Sequence, residues 1–334
     1  MSVSALWRTA LTAAGLLALL AVAFVASVSV GATPLPFGDV AAILLGGESL
    51  KGPLERIVVE LRAPRAVLAV LVGAGLGLVG MLLQSATRND LADPFLFGLS
   101  SGAAAGAVFV ITVSGDLLGV WTLPVAAFVG GLISAFTVLA LLSRTGFAET
   151  SRLILAGLAV SFLFAALTNF LVFSGDQRAA HSVVFWSLGG LGLARWDNLW
   201  IACSGLMVVL GGALFLRRSL DALLAGDETA NSLGISPGRT RFMIFVASAL
   251  ATASFVALSG VIGFAGLVVP HIGRALVGPL HGPLTLACAG IGAILLLAGD
   301  MVARTLLAPQ ELPLGIVIGA LGACFVIFLV LWRD

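Results

Sequence analysis

Long stretches without a single charge constrain this chain more than any other feature. Residues 9–38, 66–87, 94–115, 117–143, 153–175, 198–216 and 312–332 contain no Asp, Glu, Lys or Arg. As a helix, each can cross roughly 30 Å of hydrocarbon at about 1.5 Å per residue. A helix also satisfies its own backbone donors and acceptors, which lipid cannot do. With 60% of the 334 residues apolar and 10% charged, a water-soluble fold is excluded.

The region 242–299 is less uniform. It is apolar but interrupted by Ser259-Gly260, by Pro270-His271 with Arg274, and by the Gly- and Pro-rich run 278–283. Three short spans fit, near 242–258, 260–277 and 284–299, although hydropathy alone also allows two. Three give about ten helices of roughly twenty residues. The chain is therefore read as an all-α integral membrane protein, with 1–334 a single transmembrane domain and only short loops.

An even number of spans puts both termini on one side. Ten basic residues (Arg8, Arg88, Arg144, Arg152, Arg217, Arg218, Arg239, Arg241, Arg274, Arg333) fall on that side, against seven on the other (Lys51, Arg56, Arg62, Arg65, Arg178, Arg195, Arg304). The excess marks the cytoplasm. Trp7 and Trp332 then sit at the inner interface, and Trp121, Trp186, Trp196 and Trp200 at the outer one. The charge-free run after Arg8 is too long for a signal h-region and reads as an uncleaved first helix. Cys203, Cys288 and Cys324 fall within spans, lack metal-ligand spacing and read as small apolar residues.

The 41 glycines favour close helix approach: Gly73, Gly75, Gly77 and Gly80 in the second span, and Gly98, Gly102 and Gly106 spaced by four in the third. The longest cytoplasmic segment is 217–241. There Ser219 is expected to cap a short helix with Leu220, Leu223 and Leu224 on one face. Asp227 is expected to cap a second, ended by Gly234. Ser236-Pro237 starts the seventh span. Two surface helices with exposed leucines fit a docking platform for another protein or a structured interhelical loop. On the outer side, 39–65 is a polar connection holding Glu48, Lys51, Glu55, Arg56, Glu60, Arg62 and Arg65, and is read as solvated or as a partner contact.

Several chemistries are missing. Lys51 is the single lysine and no glycine-rich phosphate loop surrounds it, so the chain does not itself hydrolyse ATP. No His-Glu-x-x-His, nucleophile elbow or paired carboxylates lie deep in a span. His181, His271 and His281 stand near span ends and read as satisfied interfacial residues. No metal site and no catalytic residue is expected. Asp300 and Arg304, spaced i, i+4, form a candidate ion pair at the end of the ninth span.

Specific words then carry a resemblance. Arg62-Ala63-Pro64-Arg65, Gly73-Ala74-Gly75 through Gln84, Arg88-Asn89-Asp90-Leu91-Ala92-Asp93-Pro94, Gly98-Leu99-Ser100-Ser101-Gly102-Ala103, Thr150-Ser151-Arg152, Gly226-Asp227-Glu228-Thr229-Ala230 with Leu233-Gly234, Gly266-Leu267-Val268-Val269-Pro270-His271 with Arg274, Asp300 with Arg304, and Glu311-Leu312-Pro313-Leu314-Gly315 occur in order along nearly the whole chain. The chain closely resembles the FecCD-type permeases, membrane subunits of bacterial ATP-driven importers for iron siderophores, haem and cobalamin.

The resemblance implies ten spans in a type II importer bundle in the bacterial inner membrane, multi-pass, with both termini cytoplasmic. The implied partners are a second copy of the chain, two ATP-binding cassette subunits on the cytoplasmic face (carrying the ATP and Mg), a substrate-binding protein on the outer face and the lipid bilayer, with no nucleic acid. It implies docking of the binding protein by Arg62, Arg65 and Arg304, through Arg–carboxylate pairs that set register and encounter. It implies coupling to the ATPase by Asp227, Glu228, Ala230, Leu233 and Gly234. It places a cytoplasmic gate at Thr150 and Ser151 on the fifth span, with a second constriction at Asn89 and Leu91. Asp90 departs from the family's usual Pro, and His281-Gly282 replaces a basic residue common there. Gln177, Arg178 and His181 are candidate cargo contacts at the outer end. The expected cargo is a ferric siderophore moved by alternating access, with haem or cobalamin as alternatives. A stand-alone secondary transporter is the reading from a different class.

Overall fold

A computed structural model describes residues 3–31, 33–46, 53–145, 147 and 149–331. Helices follow one another as α1 (Val3–Ser29), α2 (Phe37–Leu44), α3 (Pro53–Arg56), α4 (Ala63–Thr87), α5 (Leu99–Phe109), α6 (Thr122–Thr145), α7 (Thr150–Ser174), α8 (Gln177–Ser187), α9 (Leu199–Leu224), α10 (Asp227–Ser232), α11 (Pro237–Ser259), α12 (Ala265–Val277), α13 (His281–Thr305) and α14 (Leu314–Leu331). A π-helical segment, Ile57–Arg62, joins α3 to α4, and another, Val110–Ser114, extends α5.

Among the described residues, eight helices are long and apolar enough to cross a membrane, and Leu99–Ser114 and Ala265–Val277 are shorter apolar helices. Those two complete the expected set of ten positions. The three segments expected between 242 and 299 appear as α11, α12 and α13. However, α12 begins at Ala265 rather than near 260. Gly260 takes φ of 60° and Phe264 φ of 65°, so the backbone between them cannot continue a right-handed helix. This link is partly buried and otherwise lines a cavity, the conditions under which irregular backbone is tolerated at membrane depth.

Helix α4 is the centre of the bundle, packed against α9, α11, α12 and α13. Its glycines do not share one partner. A Cβ on Gly73 would collide with the Gly292 carbonyl of α13, one on Gly80 with the Gly266 carbonyl of α12, and one on Gly75 with the Phe255 ring of α11. Gly102 and Gly106 meet Gly130 and Ala126 of α6, as close small-residue packing requires. By contrast, α7 exposes Leu155, Phe162, Leu163, Phe170 and Phe173, an apolar face left uncovered among the described residues.

Two expectations for 217–241 change. No separate helix starts at Ser219, because α9 runs unbroken to Leu224. Leu216, Leu220 and Leu223 continue its buried face, and continuous burial outweighs a local capping preference. Leu220 and Leu223 are therefore core residues, while Leu224 and Leu233 are exposed. The second short helix does form. Its first residue is Asp227, with Gly226 in the capping position. Most of the polar connection 39–65 is occupied by α2, α3 and the π-helical turn, and Glu48 and Lys51 lie outside the described residues.

Candidate functional site

Polar chemistry collects at the two ends of the α4/α13 pair, which run antiparallel. At one end stand the three arginines read as docking residues. Arg65 donates from Nε to Asp300 Oδ1 at 2.9 Å and from Nη1 to Glu311 Oε2 at 2.8 Å. Arg304 lies 2.8 Å from Asp300 Oδ2 through Nε. It also donates from Nη1 to the Val30 carbonyl at 2.9 Å and from Nη2 to the Ser27 carbonyl at 2.7 Å. Arg62 donates to the Val28, Ser29 and Thr33 carbonyls at 3.0, 3.0 and 2.7 Å. Asp300 is fully buried between Arg65 and Arg304, so the expected i, i+4 pair exists but is an interior network rather than an interfacial one. Arg62 and Arg304 bind inward, closing the end of α1 onto the start of α4 and the end of α13, while Arg65 joins α4 to α13. Only Arg65, through exposed Glu311, reaches the surface by an ion pair.

At the opposite end, His281 opens α13 with none of its surface exposed. Its Nε2 lies 2.6 Å from Ser85 Oγ, and its Nδ1 2.7 Å from Asp221 Oδ1, which also accepts the His281 backbone N–H at 2.9 Å. The order Ser, His, Asp matches a hydrolase relay, but Ser85 and His281 are both buried, so the array ties α4, α9 and α13 together. His281 is a satisfied histidine at a span end, as expected, but it is enclosed by the bundle rather than exposed on its surface. Its partner Asp221 lies sixty positions away, and no spacing rule connects them.

Beside this array is the turn that carries Asn89 and Leu91. Arg88 ends α4 in the left-handed region at φ of 47°. Asn89 Oδ1 then accepts the Leu91 N–H at 3.0 Å, an Asx turn that leaves the Leu91 side chain exposed. Asp90, the departure from Pro, pairs with Arg274 Nη2 at 3.0 Å. Arg274 Nη2 also donates to Gln84 Oε1 at 2.6 Å. Thr150 and Ser151 open α7, half-buried and exposed respectively.

Helix α10 rests on α9 through Ala230, which is fully buried against Ala222 and Leu223. Ala230 thus anchors the helix, while Glu228, Leu233 and Gly234 face outward. Asp227 points inward to Arg241. The exposed His181 ring lies against Phe185, with centroids 4.8 Å apart. The side chains of Gln177 and Arg178 lie outside the described residues.

Two cavities lie along one seam. The first, about 570 Å³, is lined by Arg65, Trp186, Gly189, Gly260, Glu311 and Leu314. The second, about 420 Å³, is lined by Leu91, Asp93, Leu188, Val261, Phe264 and Gly319. The end of α8, the α11–α12 link and the start of α14 contribute to both. The seam thus runs from the Arg65–Glu311 pair to the Leu91 turn. Asp93 is buried at the inner end and receives the Phe95 N–H at 2.9 Å. Burial pushes its carboxyl up to about 6, against the lowering effect of that hydrogen bond. Among the described residues, no group of three or more His, Cys, Asp or Glu could hold a metal ion.

The sequence profile of the FecCD transport family matches residues 19–332. The chain belongs to this family. Among FecCD relatives, the hemin transport system permease of Yersinia pestis is 38% identical over 319 residues, covering 95% of this chain and 94% of the relative. A cobalamin import system permease of Halobacterium salinarum is 40% identical over 308 residues, 91% of this chain and 77% of the relative. The ferric enterobactin transport system permease of Escherichia coli is 34% identical over 304 residues, 91% and 90% of the two chains. A solved inward-facing transporter assigned to the metal-chelate ABC type superposes with a TM-score of 0.80 at 30% identity, covering 95% of this chain and 98% of that one. The ten-span bundle and family read from the sequence agree with these similarities, and the chain is a multi-pass membrane protein.

Proposed function

We propose that this chain is the membrane-spanning permease subunit of a binding-protein-dependent, ATP-driven importer in the bacterial inner membrane, with both termini cytoplasmic. The observation that carries the reading is the pair of cavities on one seam, from Arg65–Glu311 at the outer end to Leu91 at the inner turn. Each has the volume of a small-molecule site, and both are lined by one side of the chain. A second copy facing this side completes a path along a two-fold axis, and the unpartnered apolar face of α7 suits such a neighbour. Thr150, Ser151, Asn89 and Leu91 close the path on the cytoplasmic side. His181, with Gln177 and Arg178 on the same helix, meets cargo entering it.

The ATP-binding cassette subunits, which carry the nucleotide and hydrolyse it, dock on α10. Exposed Glu228, Leu233 and Gly234 make the contact, with Asp227 and Ala230 anchoring the helix. At the outer face, Arg65 and Arg62 receive carboxylates of the binding protein with Arg304 behind them. A docking carboxylate competes there with Glu311, which already holds Arg65 Nη1 at 2.8 Å. The cargo is a metal chelate, ferric siderophore foremost, with haem or cobalamin as alternatives that the named relatives keep open.

Purification of the tagged chain from its native membrane in mild detergent tests the assembly. An ATP-binding cassette protein should co-purify in near-equal amount. Intact chain recovered without one would overturn the reading.

A further inference from the structure

Helix α10 and the 88–91 turn are joined through one buried side chain. Arg241, near the start of α11, is 1% exposed. Its Nε donates to the Ala86 carbonyl at the end of α4 at 2.9 Å, and its Nη2 donates to Asp227 Oδ1 at 2.9 Å. The same carboxylate oxygen stands 3.5 Å from Arg88 Nη2, on the residue that turns the chain out of α4. A guanidinium is planar and its donors diverge at fixed angles, so it sets the direction of both contacts. Because it is buried, separating it from the Asp227 carboxylate is costly, and the tie does not open readily.

The other flank of the turn differs. The Asp90–Arg274 pair is 57% and 22% exposed, and solvated ion pairs contribute little and exchange readily. The turn is held rigidly on the α10 side and loosely on the α12 side.

We propose that Arg241 is the positioning residue that carries displacement of α10 to the Asn89–Leu91 turn, with the Asp90–Arg274 pair as the contact that yields. This rests on the reading of α10 as the ATPase-facing helix. When α10 shifts, Asp227 draws Arg241 and Arg88 with it, and the end of α4 follows because Arg241 grips its carbonyl.

The test uses the complete complex with its ATPase, nitroxide labels at the exposed positions Leu91 and Ser232, and electron-electron distance measurements with and without ATP. In the parent, the Ser232 label should lose mobility when the ATPase binds, and the Leu91–Ser232 distance should hold when ATP is added. In Arg241→Gln the distance should shift and broaden with ATP while the ATPase stays bound, and Arg241→Lys, which keeps the charge but reaches one partner, should fall between. An unchanged distance in Arg241→Gln overturns the tie alone. A Ser232 label indifferent to the ATPase overturns the reading of α10 and the proposal with it. If Arg241→Gln does not fold, Asp227→Asn, at a half-exposed carboxylate, is read by the same distance, and a parent-like result there overturns the tie.

Discussion

Arg65 and Asp300 meet at 2.9 Å across α4 and α13, at the end opposite to the one where Ser85 meets His281 at 2.6 Å. One helix pair is thus pinned twice by polar contacts, with the Gly73–Gly292 backbone contact between them. Each pin has a measurable consequence.

Asp300 is the single carboxylate between Arg65 and Arg304 in the buried outer network. Asp300→Asn takes the carboxylate from buried Arg304 and leaves Arg65 with exposed Glu311 alone, and breaking a buried ion pair from one side costs about 3–5 kcal/mol. The purified protein in detergent should melt well below the parent. Glu311→Ala, at the exposed partner, should change the melting temperature little and, by freeing Arg65, tighten binding of the binding protein.

His281→Ala strands the buried Ser85 Oγ and removes a buried imidazole, while the part-exposed Asp221 carboxylate keeps the backbone N–H of residue 281. Each orphaned buried polar group costs about 1–3 kcal/mol. Thermal melting should show a loss comparable to that of Asp300→Asn. His281→Lys, closer to the basic residue common in the family, should recover part of it by pairing with Asp221.

Asp93 gives a pH dependence of defined sign. Its carboxyl titrates near 6 in the folded protein against an ordinary 3.8, so the folded state holds a proton that the unfolded state has released. Its stabilising contribution is fully present below pH 3.8 and is lost as pH rises through 6. The difference is roughly 3 kcal/mol at 1.36 kcal/mol per unit. Asp93→Asn should therefore raise the melting temperature at pH 7.5 and flatten its slope between pH 4 and 7. An unaltered slope would show that Asp93 is not the titrating group.

The spans were legible because lipid imposes a demand that sequence alone displays: long apolar runs without charge. The short α12 was less so, since its late start depends on the positive φ of Phe264, a residue type that does not advertise that conformation. The arginines Arg62, Arg65 and Arg304 were visible as a set, but the hydrogen bonds of Arg62 and Arg304 to the end of α1 and of Arg65 to Asp300 are long-range and leave no local pattern. Arg241 was counted only as a positive charge on the inner side, although it is among the largest fully buried side chains. Burial of a charge is set by what packs around it, here α4 and α10, and composition predicts the opposite. Ser219 misled for a local reason. It has the chemistry of a cap, yet Leu216, Leu220 and Leu223 keep one helix face buried through it.

As proposed above, this FecCD permease moves a metal chelate inward at the expense of ATP hydrolysed by its partners. Uptake by proteoliposomes containing the chain, its ATPase and its binding protein measures this directly, with ferric enterobactin, hemin and cobalamin each supplied as cargo. One of them should accumulate only with ATP on the cytoplasmic face and only with the binding protein present. Accumulation driven by an ion gradient with neither ATP nor binding protein would contradict it.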